Sequence, residues 1–417
     1  MLPSKSSNPM RRTPAFPWVV AGSFFLAGLA CRLGIFSSPH VDGDEAVYSA
    51  LVDQLDAGRG YTLQGHPLLE RGRISRAEYD RPLFFHPPGG VALFWLFRRL
   101  FGAAGFPLAQ LTSFALFFWA MILLARQLFS GEDALAVPLV AGLSAFTPIM
   151  THAVSRYWLD GPLLAFATLG CALFVMGLRQ GDPRWVRAAG LVFGFAVFIK
   201  STAALALPGL FLLAWSALPD SREFLGRAAR RFLLFALPFE AVWLCWQWKV
   251  LGSPFPGWPG RPSADLVASD PFIHYVTAFR SPLVYLTLPP VVLWTLIPSL
   301  ALLARQWKDA TLRALGAALA AWIVAVLGAN AVLGAAGYSK LLRYAILATP
   351  ASVLLFAAAA SSLWKRWRSA PPARRSRWDA FLLSFAALGF CLEIAQGIKT
   401  PLFDNLDMIF PLWFGLP

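Results

Sequence analysis

Charge is what this sequence has least of. Asp, Glu, Lys and Arg make up only 14% of its 417 residues, against about a quarter in an average soluble domain. A chain that is 57% hydrophobic, with 17 Trp and 35 Phe, cannot cover a water-facing surface with charge. That excludes an ordinary soluble enzyme and makes lipid the expected solvent. Cysteine is also sparse. Cys31, Cys171, Cys245 and Cys391 fall in or beside apolar stretches without paired spacing, which excludes a disulfide framework and a cysteine zinc site. No period of 20–50 residues recurs, so the chain is not a repeat array. It also lacks the strand, glycine loop and helix sequence of a soluble nucleotide-binding domain.

What the chain does have is apolar length. Segments at 16–36, 106–126, 134–152, 161–178, 186–199, 201–218, 232–251, 282–304, 312–333, 342–363 and 379–397 are candidate spans, about 20 residues being needed to cross the hydrocarbon core as a helix. The expectation is an all-α integral membrane protein with about eleven transmembrane helices, residues 1–417 forming one polytopic domain. Segments 186–199 and 201–218 are short and share a polar break, so they are alternatively one broken pair. The first segment has a basic flank and ends in Gly28-Leu-Ala-Cys31. Its length favours an uncleaved span over a signal peptide.

The net charge of +14 does not point to nucleic acid, because the excess sits between apolar segments at alternate connections. Arg126, then Arg179, Arg184 and Arg187, then Arg222 to Arg231, then Arg305, Lys308 and Arg313, and finally Lys365 to Arg377 form one series. Positive residues collect on the cytoplasmic side of membrane proteins. The N-terminus is therefore expected in the cytoplasm, with 365–378 a basic cytoplasmic linker. The opposite, periplasmic or lumenal side holds 37–105, 153–160, 252–281, 334–341 and the tail from Lys399; a bacterial inner membrane is the expected location.

Polarity concentrates in that first external loop, 37–105, which carries eight of the 22 acids. From Asp44 to Leu55 apolar residues recur at 47, 51, 52 and 55, the spacing of an amphipathic helix on a membrane surface. Residues 88–101 are aromatic and apolar but short, and close with Arg98-Arg99. They are expected to form an interfacial or re-entrant helix.

Five constellations carry chemistry. In Val41-Asp-Gly-Asp-Glu-Ala-Val-Tyr48, three carboxylates within four residues repel one another. Asp44 as a helix cap with acids in the first turn is the plain explanation. The chemical one is a general base that takes a proton from an attacking hydroxyl. In Phe85-His-Pro-Pro-Gly-Gly90, the prolines delay the helix start and leave His86 at its mouth, as a phosphate or hydroxyl ligand or as a surface turn residue. In Ser155-Arg-Tyr-Trp-Leu-Asp160, Asp160 is either a cap or one of the functional acids found at span ends. The run Gly190 to Lys200 ends in a lysine on the side poor in cations, which either snorkels or binds phosphate. In Tyr338-Ser-Lys-Leu-Leu-Arg-Tyr344, Lys340 and Arg343 share a helix face. Together these place acids to deprotonate an acceptor and cations to hold a phosphate leaving group on one side of the membrane. One-step displacement of this kind inverts the sugar carbon. A transporter or flippase for a lipid-linked sugar, or another anionic lipid, is the rival reading, with the same charges lining a path. Mid-span polarity and internal repeats, which transporters tend to show, are not evident.

These residues resemble the GT-C superfamily of polyprenyl-phosphate-sugar transferases. The carriers are Asp44-Glu45-Ala-x-Tyr48 after a first span, His86-Pro87-Pro88-Gly89, Asp160 opening a later span, and the glycine-spaced run into Lys200 with Pro208 beyond. The branch is similar to bacterial aminoarabinose transferases for lipid A, protein O-mannosyltransferases and related lipopolysaccharide sugar transferases. The likeness is best over 16–218 and thins to Lys340–Pro350. It implies an inverting glycosyltransferase with Asp44, Glu45 and Asp160 as catalytic acids. His86, Lys200, Lys340, Arg343, Tyr344 and Tyr48 are implied on the substrate and phosphate side. His86 stands where the aminoarabinose branch has Lys, which argues against that donor. The implied partners are a polyprenyl-phosphate sugar, membrane lipids and a glycan, lipid or protein acceptor. Some superfamily members use a divalent cation, which would sit near Asp42, Asp44 and Asp160; none is expected to be obligatory.

Overall fold

The computed structural model describes residues 16–36, 44–70, 79–129, 135–218, 222–254, 293–335 and 342–399. Among them there are helices and turns and no strand. Apolar sequence dictates this, since a chain in hydrocarbon must satisfy its own backbone and a helix does so locally. The helices are α1 (Phe16–Ala30), α2 (Asp44–Asp56), α3 (Pro67–Glu70), α4 (Gly89–Phe101), α5 (Gly105–Leu128), α6 (Ala136–Phe146), α7 (Pro148–Val154) and α8 (Asp160–Gln180). They continue with α9 (Pro183–Ile199), α10 (Leu207–Ala217), α11 (Arg222–Leu251), α12 (Leu293–Arg305), α13 (Ala310–Ala335), α14 (Thr349–Ser369) and α15 (Arg377–Lys399).

Six helical stretches among the described residues are long and apolar enough to cross a membrane, or seven if α6 and α7, bent by 45° at Thr147, act as one. The chain is thus a multi-pass membrane protein. The expected count of about eleven is not confirmed among the described residues. Helix α9 has 17 residues, and the apolar helices Ser201–Ala217 and Trp294–Arg305 are shorter than a span. Helix α11 is long enough but opens with Arg222, Glu223, Arg227, Arg230 and Arg231 and carries Glu240 further along. Much of 282–304 lies outside the described residues.

The amphipathic segment after the first span forms α2, with Val47, Tyr48, Leu51 and Val52 buried within the protein. It is clasped to α4: Arg98 meets Asp53 at 2.5 Å, Arg99 meets Asp56 at 2.8 Å, and Trp95 Nε1 donates to Asp56 at 2.8 Å. Helix α4 ends at Gly102, whose φ of 58° is in the left-handed region that glycine adopts most readily. The chain then folds back, so that the Phe94 and Phe106 rings lie 5.1 Å apart; along a straight helix twelve residues would separate them by about 18 Å. Helices α5, α8, α9 and α11 pack side by side behind this loop around Phe174, Phe193 and Phe232. Gly190 and Gly194 of α9 let α11 approach closely, a Cβ at either falling within 3 Å of its backbone. The four cysteines are free thiols. The basic linker 365–378 includes the end of α14 and a 3₁₀ turn at Pro372–Arg374.

Candidate active site

The site is built where α2, α4, the connection 155–159 and the break between α9 and α10 meet. Helix α8 begins with Asp160, and α9 ends at Lys200, an extended residue with φ −161° that separates it from the 3₁₀ turn Ser201–Ala206. The polar break read at Lys200 is therefore a true interruption. Lys200 Nζ donates to Asp160 Oδ1 at 2.9 Å, with the two side chains only 5% and 4% exposed. A pair so far from water is held by mutual attraction, because either charge alone would carry a desolvation penalty of several kcal/mol. The next residue, Ser201, donates to the carboxylate of Glu240 on α11 at 3.0 Å. A lone acid within the apolar helix 232–251 was the signal for Glu240, and sequence reasoning passed over it.

The glycines after His86 explain the approach of α4. A Cβ on Gly89 would lie 2.6 Å from the Phe198 carbonyl oxygen, and one on Gly90 would lie 2.6 Å from Leu159 and 3.1 Å from Ile199. Small residues here bring the start of α4 against the neighbours of both Asp160 and Lys200. His86 is half-buried, its ring 4.3 Å from Phe85 and 5.7 Å from Phe84. Around it Tyr48 and Tyr79 contact Phe84. Tyr61 donates to the Pro87 carbonyl at 3.3 Å and meets Trp243 and Trp246 of α11. Burial pushes the Tyr61 phenol well above its ordinary range, so it remains a donor.

Asp44 and Glu45 both open α2 but differ in setting. Glu45 is fully buried: it accepts from the Tyr157 amide at 3.3 Å and faces Arg156 at 3.6 Å. Burial, and then the charge of Glu45, push the Tyr157 phenol up. Asp44 is only partly buried. Gln110 of α5 fixes the connection from behind, donating to the Arg156 and Trp158 carbonyls at 2.6 and 2.8 Å. Arg156 and Gln110 are further site residues that the sequence reading left without a role. Lys340 lies outside the described residues, as does Asp42, and Arg343 and Tyr344 are described only as backbone, in the 3₁₀ turn Leu342–Ala348 before α14. Among the described residues no group of three or more His, Cys, Asp or Glu could hold a metal ion.

The class so defined is a polytopic helical membrane protein with acids and cations gathered at one end of its bundle. Residues 85–246 match the family described as dolichyl-phosphate-mannose-protein mannosyltransferase. The fold is that of ArnT from Cupriavidus metallidurans. Its apo crystal structure aligns at TM-score 0.55 and 16% identity, over 93% of this chain and 78% of that one. The ArnT structure bound to undecaprenyl phosphate aligns at 0.54 and 15%, with the same coverage. The archaeal oligosaccharyltransferase AglB from Archaeoglobus fulgidus, in complex with an inhibitory peptide and a dolichol-phosphate, aligns at 0.56 and 13%, over 93% of this chain and 56% of that one. No curated protein matches the chain by sequence. The GT-C resemblance read from the motifs is thus matched both by a family domain over 85–246 and by the fold.

Proposed function

We propose that this chain is an inverting glycosyltransferase that moves a sugar from a polyprenyl phosphate to an acceptor hydroxyl. The reading places the reaction at the periplasmic or lumenal face, with the N-terminus in the cytoplasm and a bacterial inner membrane as the setting. The acceptor is a lipid, a glycan or a protein. The observation that carries the proposal is the buried Asp160–Lys200 pair beside the acid-bearing start of α2, in a chain with the fold of proteins solved with polyprenyl phosphates.

Asp44, the more accessible acid, accepts the proton of the acceptor hydroxyl as its oxygen attacks the anomeric carbon. The bond from that carbon to the phosphate oxygen breaks, and its electron pair leaves with the phosphate. Lys200, Lys340 and Arg343, with Tyr344, bind the phosphate and offset its growing charge. Glu45 and Asp160 complete the acid set by fixing Arg156 and Lys200, and His86 and Tyr48 line the donor path. No metal is required in this scheme.

The test is sugar transfer in membranes carrying wild type or Asp44→Asn, with radiolabelled polyprenyl-phosphate sugars. Asn keeps the size and hydrogen bonding of Asp but cannot act as a base, so transfer is expected to fall by about 10²–10⁴-fold. Equal transfer by both proteins would remove Asp44 from the base role. A wild type that transports a labelled lipid-linked sugar without transferring it would overturn the enzyme reading.

A further inference from the structure

The end of the bundle away from the site holds a second polar feature that the transfer scheme does not use. Helix α5 runs from Phe106, whose ring lies 4.9 Å from Tyr157 at the site, to Leu128, which lines a cavity of about 1160 Å³. Over its 24 residues the helix is about 36 Å long, so site and cavity lie at opposite ends of the bundle. The cavity wall is supplied by the ends of α5, α12 and α14 and the starts of α13 and α15. Gln306 pins two of these together, donating to the Leu302 and Ala359 carbonyls.

Six cations line this cavity, Arg305, Lys308, Lys365, Arg366, Arg374 and Arg375, against the carboxylates Asp309 and Asp379. Neither acid balances the excess. Asp379 is shared between two guanidinium groups, Arg305 at 2.7 Å and Arg366 at 3.2 Å. Asp309 is used in capping α13, accepting from the Leu312 amide at 3.0 Å. Lys308 and Arg374 are exposed and make no side-chain hydrogen bond or ion pair with another described residue. Leu128, Phe129, Leu312 and Leu315 make part of the wall apolar, and Trp307 and Trp367 stand among the cations. Tryptophan is the side chain enriched at the level of lipid headgroups.

We infer that this cavity binds the phosphate of an anionic membrane lipid, with the headgroup among the cations and the acyl chains along the apolar wall. A general accumulation of positive charge on one membrane face would attract anionic lipid without selecting a position. The cavity differs in gathering six cations, all of them exposed, around one concavity, so a single phosphate there can meet several charges at once, which equal charges spread along the face cannot offer. The inference is independent of the transfer reaction.

The test uses the full-length protein in nanodiscs of phosphatidylcholine doped with phosphatidylglycerol, with bound lipid counted by native mass spectrometry. Lys308→Gln with Arg374→Gln removes two cavity charges. Arg184→Gln with Arg187→Gln removes two exposed charges at the same end of the bundle, where α9 begins, outside the cavity. The cavity pair is expected to lower phosphatidylglycerol retention on the order of tenfold or more and the outer pair less than about threefold. Thermal unfolding in lipid-free detergent should be unchanged in both. Equal losses from the two pairs, or no loss from the cavity pair, would overturn the inference. So would equal retention of phosphatidylcholine. Stabilisation by millimolar inorganic phosphate but not by phosphatidylglycerol would identify a soluble anion and overturn the lipid assignment.

Discussion

Removing Lys200 is the sharpest test of the buried pair. In Lys200→Met the carboxylate of Asp160, 4% exposed, loses the cation 2.9 Å away and keeps its place in the first turn of α8. Breaking one side of a buried pair typically costs 3–5 kcal/mol. The helix dipole returns part of this to an acid at the N-terminus, up to about 1–2 kcal/mol in a buried setting. A net loss of roughly 3 kcal/mol follows. Asp160→Asn should cost about the same from the other side, because it leaves the ammonium buried. The double variant removes both charges and should lie within about 1 kcal/mol of wild type, giving a coupling energy of several kcal/mol. Unfolding in mixed micelles by titration with dodecyl sulfate measures all four proteins. Additive losses, with the double variant less stable than either single one, would refute the idea that the two charges depend on each other. The double variant also separates structure from chemistry. If Lys200 holds the donor phosphate, this folded protein should transfer sugar at least about 10²-fold more slowly than wild type. Wild-type transfer by it would leave Lys200 a purely structural cation.

Other expectations follow from single observations. Gly89→Ala sets a methyl 2.6 Å from a rigid backbone carbonyl, so it should destabilise by about 1–3 kcal/mol and impair transfer; thermal unfolding and activity together check this. In the loop after α2, burial first, offset by Asp53 and reinforced by Arg59, holds the His66 imidazole below its usual pKa, and its Nδ1 accepts from the Leu68 amide at 3.2 Å. The unfolded loop therefore takes a proton more readily than the folded one. The stability from neutral His66 is intact above the unfolded value near 6.5 and weakens as pH falls below it. Hydrogen exchange over 61–70 should quicken between pH 7.5 and pH 5, and should lose that dependence in His66→Gln. Chelation with EDTA is expected to leave transfer intact; loss restored by magnesium or manganese would show that a metal is needed.

Local signals in the sequence carried well where the physics was local. The apolar spacing after Asp44 marked α2 within a residue of its end, and the break at Lys200 and the helix start at Asp160 were both readable. The partners of these residues were not. Glu45 meets Tyr157 across 112 residues and Asp160 meets Lys200 across 40, separations at which no periodicity survives. Gly89-Gly90 fell at the start of the helix expected over 88–101, with no contact assigned to them. Their role as contact points for Phe198 and Leu159 appears only once α4 and α9 lie side by side. The count of about eleven spans is not confirmed among the described residues, because apolarity marks lipid contact more reliably than it marks a full crossing. Helices α9 and α10, largely apolar but only 17 and 11 residues long, are each shorter than a span.

The long reach of the Glu45 contacts also sets a schedule for biogenesis. A ribosome adding about 5–20 residues per second delivers Tyr157, 112 positions after Glu45, roughly 6–22 s later. Lys200 follows Asp160 by 40 positions, or about 2–8 s. For those intervals each carboxylate is already made while its final neighbour has yet to be added to the chain. Water, or the polar interior of the translocation channel, must solvate it meanwhile. The segment that carries Glu45 therefore closes onto the bundle late, after the residues that will bury its acid have arrived.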